Sequence, residues 1–333
     1  MTLHYVDDQS PGITRRRRGR YWQYFDARGK RIADRGEIDR LNGIGLPPAY
    51  RDAWFCPKAD GHIQAIGYDD RGRKQYRYHP DFRERQEAAK YDRCLDFGRA
   101  LPRLRKRVEA DLKKRKLSRD TVVAAIVRLL DTGRIRVGNE SYAKDNKSFG
   151  ATTLRSRHAR VAGRTVRMRF KAKSGIEREL RITDSTLSRI VKQCQDLPGQ
   201  HLFQYLDEEG EARPVSSTDV NDYIREATGE DFTAKHFRTW SASAIAFDAI
   251  CAAGEEGIGL TAMLEPVAEA LGNTPAISRK SYVHPALVET LKDGKGGTLG
   301  LQCPRPTKYL SSAERGLIAF LTKTSRKRSR TRA

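Results

Sequence analysis

Leu271-Gly272-Asn273-Thr274-Pro275-Ala276-Ile277-Ser278-Arg279-Lys280-Ser281-Tyr282 crowds polar and cationic side chains around one short stretch of chain. Residues 276–282 read as a short helix, stopped before Pro285, with Tyr282 at its end. Asn273 stands nine residues before that tyrosine. Moving outward toward the N-terminus, residues 257–271 read as a helix and Thr233 to Ala253 as one helix or a broken pair. The latter opens on Lys235-His236-Phe237-Arg238-Thr239-Trp240.

Further out the period changes. Residues 152–182 alternate as short strands with a turn at Ala162-Gly163, and Lys173 falls on a second turn in Phe-Lys-Ala-Lys-Ser-Gly. Asp184 and Ser217 are expected to cap the helices that follow. Before the strands, Ser118 caps a predicted helix with Val122, Ile126, Leu129 and Leu130 on one side. Gly133 ends it, and Arg136 follows in Ile-Arg-Val-Gly. Leu101, Leu104, Val108 and Leu112 mark another helix. A third runs over 82–97 and is expected to break at Gly98 and Pro102. Residues 21–80 read as β: an aromatic strand Tyr21–Phe25 turned by Asp26 to Gly29, and a strand His62–Tyr68 turned by Asp69 to Gly72 into Lys74–Tyr78. The fold class is α+β, a small β-rich module followed by a larger, mainly helical domain with a three-stranded insert.

Composition narrows the function. The 333 residues are 38% hydrophobic, enough for sizeable cores, and no stretch approaches a membrane span. No apolar segment follows the arginine run, so no secretory signal is expected. Cys56, Cys94, Cys194, Cys251 and Cys303 lie too far apart for a Cys-x-x-Cys metal or redox site and read as reduced thiols. Lys plus Arg is 64 against 42 Asp plus Glu, a net charge of +22 that favours a polyanionic partner.

Taken singly, Arg136, Lys173, Arg238 and Tyr282 each have an ordinary explanation as surface or core residues. Their order changes this. Over roughly residues 20 to 300 the chain resembles the type IB DNA topoisomerases of the small poxvirus and bacterial branch. The family pattern is Arg, Lys, Arg, His, Tyr. The resemblance implies that Arg136 and Arg238 are the two arginines, Lys173 the general acid and Tyr282 the nucleophile. Asn273 stands where the poxvirus pattern has His. Asn donates a hydrogen bond but brings no charge, so it is expected to hold a phosphate oxygen rather than shuttle a proton.

The implied activity nicks one strand of duplex DNA through a 3′-phosphotyrosyl link, relaxes supercoils by strand rotation and reseals the nick. It needs no ATP, metal or other cofactor. By the same resemblance Gln75, Tyr76 and Tyr78 contact the major groove, while Tyr142, Thr153 and Lys235 hold the phosphate backbone. For the two tyrosines, a place in the core of a small sheet is an equal alternative. Asn139 replaces a poxvirus lysine, so that contact is not carried over.

The expected organisation is a flexible basic arm (1–20), a β-rich DNA clamp (21–86), a catalytic domain (87–322) and a disordered tail (323–333) with six basic and no acidic residues. The expected partner is double-stranded DNA, with no membrane. The protein is expected to be a monomer in the bacterial cytoplasm, associated with the nucleoid. One rival is a tyrosine recombinase, which usually carries His three residues before the second arginine where this chain has Lys235. The other is a DNA-binding protein with a silent site.

Overall fold

Alternating side chains and Asp-Gly turns shape the first part of the chain. The computed structural model describes residues 2–292 and 303–332, of which 87, 88, 90, 292 and 326–332 are followed by backbone alone. The chain divides into two compact units, Met1–Lys90 and Tyr91–Ala333. The first holds β1 (Ile13–Arg18), β2 (Tyr21–Phe25), α1 (Arg35–Gly43), β3 (Arg51–Phe55), β4 (Ile63–Tyr68) and β5 (Lys74–Tyr78). The strands form one antiparallel sheet in the order β2-β1-β3-β4-β5 around Ile13, Tyr24, Leu41, Leu46, Phe55 and Ala65. The turn before β5 is held by Asp69, whose Oδ1 accepts from the amides of Arg71 and Arg73 at 3.0 Å each. Gly72 supplies the positive φ of +71°.

The basic run Arg15–Arg18 is a strand, not a flexible arm. It pairs with β2, Arg15 opposite Tyr24 and Arg17 opposite Trp22. Arg15 shows why: its guanidinium lies 4.1 Å from the centre of the Trp22 ring and donates to the carbonyls of Leu46 (2.9 Å) and Pro47 (2.6 Å). A long cation has an apolar stem and a fork of donors, so it can serve as a sheet residue. Met1, at the start of the expected arm, lies outside the described residues.

α2 (Pro80–Asp92) spans the division between units, so the expected boundary at 86/87 falls inside a helix. The helix α3 (Cys94–Leu112) runs straight through Gly98 and Pro102, and the break comes earlier, at Arg93. Gly98 is there for close packing. A Cβ on it would fall 2.2 Å from the Trp240 ring.

α4 (Arg119–Gly133) is capped by Ser118, whose hydroxyl accepts from the Thr121 amide, and Val122 to Val127 are at most 2% exposed. α5 (Glu140–Asn146) leads to an antiparallel three-stranded sheet, β6 (Ala159–Ala162), β7 (Thr165–Lys171) and β8 (Glu177–Thr183). α6 (Ser185–Gln195) starts on Asp184, the expected cap. A hairpin of β9 (Gln204–Leu206) and β10 (Ala212–Pro214) follows. α7 (Ser217–Thr228) is capped by Ser216 rather than Ser217, because the Ser216 hydroxyl accepts from the Asp219 amide and the Asp219 carboxylate accepts from the Ser216 amide.

Next come α8 (Ala234–Ala253), which is a single helix, α9 (Leu260–Leu271), α10 (Pro275–Ser281), α11 (Pro285–Lys292) and α12 (Ser312–Arg332). The backbone of the expected disordered tail is the end of α12. The tail has neither Gly nor Pro to break a helix. Ala333 lies outside the described residues.

One large core joins α3, α4, α6, α7, α8, α9 and α12. Beside it Arg105 binds Asp131 and Glu314 at 2.8 Å each, and the Trp240 indole donates to Glu314 at 2.9 Å. The network ties α3, α4, α8 and α12 together. No helix among the described residues is long and apolar enough to cross a membrane.

Candidate active site

Tyr282 is the residue that ends α10. Thr274 caps that helix by accepting from the Ile277 amide, Pro275 occupies its first position, and the Tyr282 amide still donates to Ser278 O (3.0 Å). The ring is therefore delivered by a short, well-capped helix. Its hydroxyl accepts from Arg136 Nη2 at 3.2 Å. The guanidinium carbon of Arg238 lies 4.8 Å from the ring centre.

Arg136 sits on the loop after α4. The loop's shape comes from a tight glycine pair: Gly138 has φ of +104°, and a Cβ on Gly150 would lie 2.5 Å from the Gly138 amide nitrogen. The Ala151 amide donates to Arg136 O (2.9 Å), which pins the backbone under the guanidinium.

Arg238 is buried on the second turn of α8, at 4% exposure. It donates to Arg134 O and, at 3.2 Å, to Leu271 O. Its Nε is buried with no hydrogen-bond partner. Asn273 completes this arrangement. With its amide oriented to satisfy both ends, the oxygen accepts from Arg238 Nη2 (3.1 Å) and the nitrogen donates to Gly272 O (3.2 Å). In that orientation Asn273 holds Arg238 in place.

Lys173 is exposed on the turn between β7 and β8, where Ser174 takes a positive φ of +66° and the Gly175 amide closes on Ala172 O (3.1 Å). It lines a small cavity together with Arg136, Arg178 and Arg238. The structure therefore links four of the five expected residues, Arg136, Arg238, Asn273 and Tyr282, by direct contacts, and the fifth lines a cavity with two of them, Arg136 and Arg238.

The electrostatics follow. Burial would raise the Tyr282 phenol, but the charges of Arg238 and Arg136 outweigh it and hold the phenol below its ordinary value. Burial, together with Arg136, pulls Arg238 down to about 10. Such stacked cations cost energy in isolation and suit a site that receives an anion.

Arg178 escaped the sequence reading. It donates to the carbonyls of Glu269 (3.2 Å) and Ala270 (2.9 Å) at the end of α9. The signal was available in Glu177-Arg178-Glu179-Leu180, where strand alternation puts an arginine on the face of Leu180 and Ile182.

The expected DNA contacts divide. Lys235 and Tyr142 are exposed, Tyr142 at 49%. Tyr76 and Tyr78 are exposed at 41% and 39%, stacked on one another with centroids 5.8 Å apart, and stand outside the sheet's core. Gln75 is half-buried, and its amide donates to Asp69 Oδ2 (3.0 Å). Thr153 is a correction. At 2% exposure its hydroxyl accepts from the Gly150 amide (2.9 Å), so it builds the corner under the Arg136 loop and offers no surface to a phosphate. Among the described residues no group of three or more His, Cys, Asp or Glu could hold a metal ion.

Comparison with known proteins gives the family. Residues 79–294 match the family model for the catalytic core of eukaryotic DNA topoisomerase I, and residues 21–69 match that for the N-terminal domain of bacterial DNA topoisomerase IB. The DNA topoisomerase 1B of Acanthamoeba polyphaga mimivirus is 31% identical, over 82% of this chain and 85% of that protein. That of vaccinia virus (strain Copenhagen) is 23% identical, over 73% and 76%. Among solved structures, the XerH site-specific recombinase bound to a palindromic difH substrate aligns at 16% identity with a TM-score of 0.37. That alignment covers 57% of this chain and about half (50%) of the recombinase. By the family model and the mimivirus relative together, this chain belongs to the type IB DNA topoisomerases.

Proposed function

We propose that the chain relaxes supercoiled duplex DNA by a nick-and-reseal reaction in which Tyr282 carries the cut strand. The Tyr282 hydroxyl gives up its proton to solvent and as phenolate attacks the scissile phosphorus, the bond from phosphorus to the 5′-oxygen breaks, and the strand remains as a 3′-phosphotyrosine. Lys173 gives its proton to the departing 5′-oxygen. Arg136 and Arg238 hold the non-bridging oxygens, on which charge accumulates, and favour the attacking phenolate. Asn273 keeps Arg238 aimed and offers no acid. Resealing runs the same steps backward, so the phosphodiester energy is conserved and neither ATP nor a metal ion is consumed.

The observation that carries this reading is the 3.2 Å contact of Arg136 with the Tyr282 hydroxyl over a buried Arg238. The unpaired Arg238 Nε is a donor that a phosphate oxygen would satisfy. In the second unit the exposed Tyr142 and Lys235 are available to backbone phosphates, and in the first unit the exposed Tyr76 and Tyr78 are available to a groove. The outer face of the three-stranded sheet adds Arg160, Arg167 and Arg181, directly opposite one another across three strands. Like charges so placed destabilise a sheet, and an anionic partner relieves them.

The test is incubation with supercoiled plasmid in EDTA without ATP, beside Tyr282→Phe. Relaxed topoisomers from the unaltered chain alone, with protein trapped on 3′ ends after a detergent quench, are expected. Folded protein that binds plasmid without relaxing it would overturn the reading, in favour of a site-specific recombinase or a silent DNA-binding protein.

A further inference from the structure

Arg178 lies five residues beyond Lys173, on the strand that leaves the Lys173 turn. Its guanidinium crosses to the last turn of α9 and donates to Glu269 O (3.2 Å) and Ala270 O (2.9 Å). A cation at a helix C-terminus is stabilised by the carbonyls the helix leaves unpaired. The fit is tight. Gly272 has φ of +61°, and a Cβ there would fall 2.6 Å from Arg178 Nη1. So Gly272 is required both for its left-handed backbone and for the room it leaves the guanidinium.

The next residue is Asn273, which holds Arg238, and α10 with Tyr282 follows directly. One side chain thus spans from the hairpin that carries Lys173 to the helix end that leads into Asn273. Among the described residues no other side chain of β8 hydrogen-bonds to that helix end. The hairpin tip is closed by its own backbone, the Gly175 amide donating to Ala172 O (3.1 Å) and the Ala172 amide to Ile176 O (2.8 Å), while Lys173, Ser174, Gly175 and Ile176 are all exposed.

We infer that Arg178 is a positioning residue, which fixes the Lys173 hairpin against the end of α9 so that the ammonium meets the leaving 5′-oxygen. Two of its five donors are committed to carbonyls, which ties its guanidinium to the end of α9, and a comparison of leaving groups tests whether its effect on the chemistry passes through Lys173. The inference rests on Lys173 being the general acid.

The decisive probe is a duplex in which the bridging 5′-oxygen at the cleavage site is replaced by sulfur. A thiolate is a far better leaving group than an alkoxide and departs without a proton. Single-turnover cleavage of the oxygen and sulfur duplexes is compared for the unaltered chain, Lys173→Ala, Arg178→Ala, Arg178→Lys and the double alanine variant. Misplacement of a catalytic group by about 1 Å costs roughly 100-fold. Arg178→Ala is accordingly expected to slow cleavage of the oxygen duplex by about 10- to 100-fold and to cleave the sulfur duplex within about 3-fold of normal.

Arg178→Lys, which keeps the charge and loses the fork, is expected to fall between. The double variant is expected to be no slower than Lys173→Ala, because the two residues act as one unit. A purely structural defect would slow both duplexes alike. That result, or a double variant showing the product of the single effects, overturns the inference while leaving Lys173 as the acid. If sulfur fails to rescue Lys173→Ala, the general-acid assignment itself falls, and this inference falls with it.

Discussion

Tyr282 is held between opposing influences, and their balance decides how it reacts. Burial opposes ionisation of the phenol, while Arg238 and Arg136 favour it and prevail. In DNA-free protein the hydroxyl is therefore expected to titrate below the ordinary phenol value of about 10. An ultraviolet titration differenced against Tyr282→Phe isolates this one tyrosine among 13. In Arg136→Ala one favourable charge is gone and the desolvation remains, so the midpoint is expected to move up. An unmoved midpoint would mean that Arg136 contributes geometry alone. At this scale the sequence was informative about identity and uninformative about contact. That Arg136, Lys173, Arg238 and Tyr282 come from motifs that lie close together was legible from motif order. That Asn273 grips Arg238 was not, since it depends on how the turn after α9 folds back on α8. Thr153 was misassigned because a threonine in a loop motif looks the same in sequence whether it faces solvent or closes a Gly150 corner.

At the scale of elements, caps and periodicity located α4, α6, α9, α10 and the three-stranded sheet, because Ser118, Asp184 and strand alternation are local signals. Errors arose where a distant partner overrode local propensity. Gly98 reads as a breaker until Trp240 is placed on it, and Arg15 to Arg18 reads as an unstructured run until Trp22 and two carbonyls receive Arg15. The Arg105–Asp131–Glu314 network is of the same kind, since its members come from three helices. Glu314 is buried, which would raise its carboxyl, yet its bonds from Arg105 and Trp240 hold it below the usual value. Replacing Glu314 with Gln removes the charge from these bonds and is expected to cost about 2–3 kcal/mol at pH 7, measured by urea unfolding. Because the folded value is depressed, this contribution is complete above the unfolded value of about 4.3 and is lost as pH falls through the folded one. The gap between Glu314→Gln and the unaltered chain should therefore close on acidification below about pH 4. A gap independent of pH would assign the loss to packing rather than charge.

For the whole molecule the governing quantity is a net charge of +22, and its physical consequence is a dependence on salt. Each phosphate neutralised by a cation releases counterions, so the logarithm of the binding constant falls with the logarithm of salt by about 0.9 per contact. This separates the roles expected of residues in the two units. Lys235, on the first turn of α8, has no sequence-reading function in this scheme. Lys235→Ala in a Tyr282→Phe background is expected to weaken binding equally on all duplexes and to reduce the slope by about 0.9. Gln75 carries no charge, so Gln75→Ala is expected to leave the slope unchanged and alter the preference among duplex sequences. Its bond to Asp69 offers a different possibility, in which Gln75 shapes only the turn before β5. In that case Gln75→Ala would change affinity on every duplex alike, and the major-groove role would belong to the stacked pair Tyr76 and Tyr78 alone. A slope untouched by Lys235→Ala would return that lysine to the solvated surface, and the excess charge would then have to act at a distance, through the rate of encounter rather than through contact.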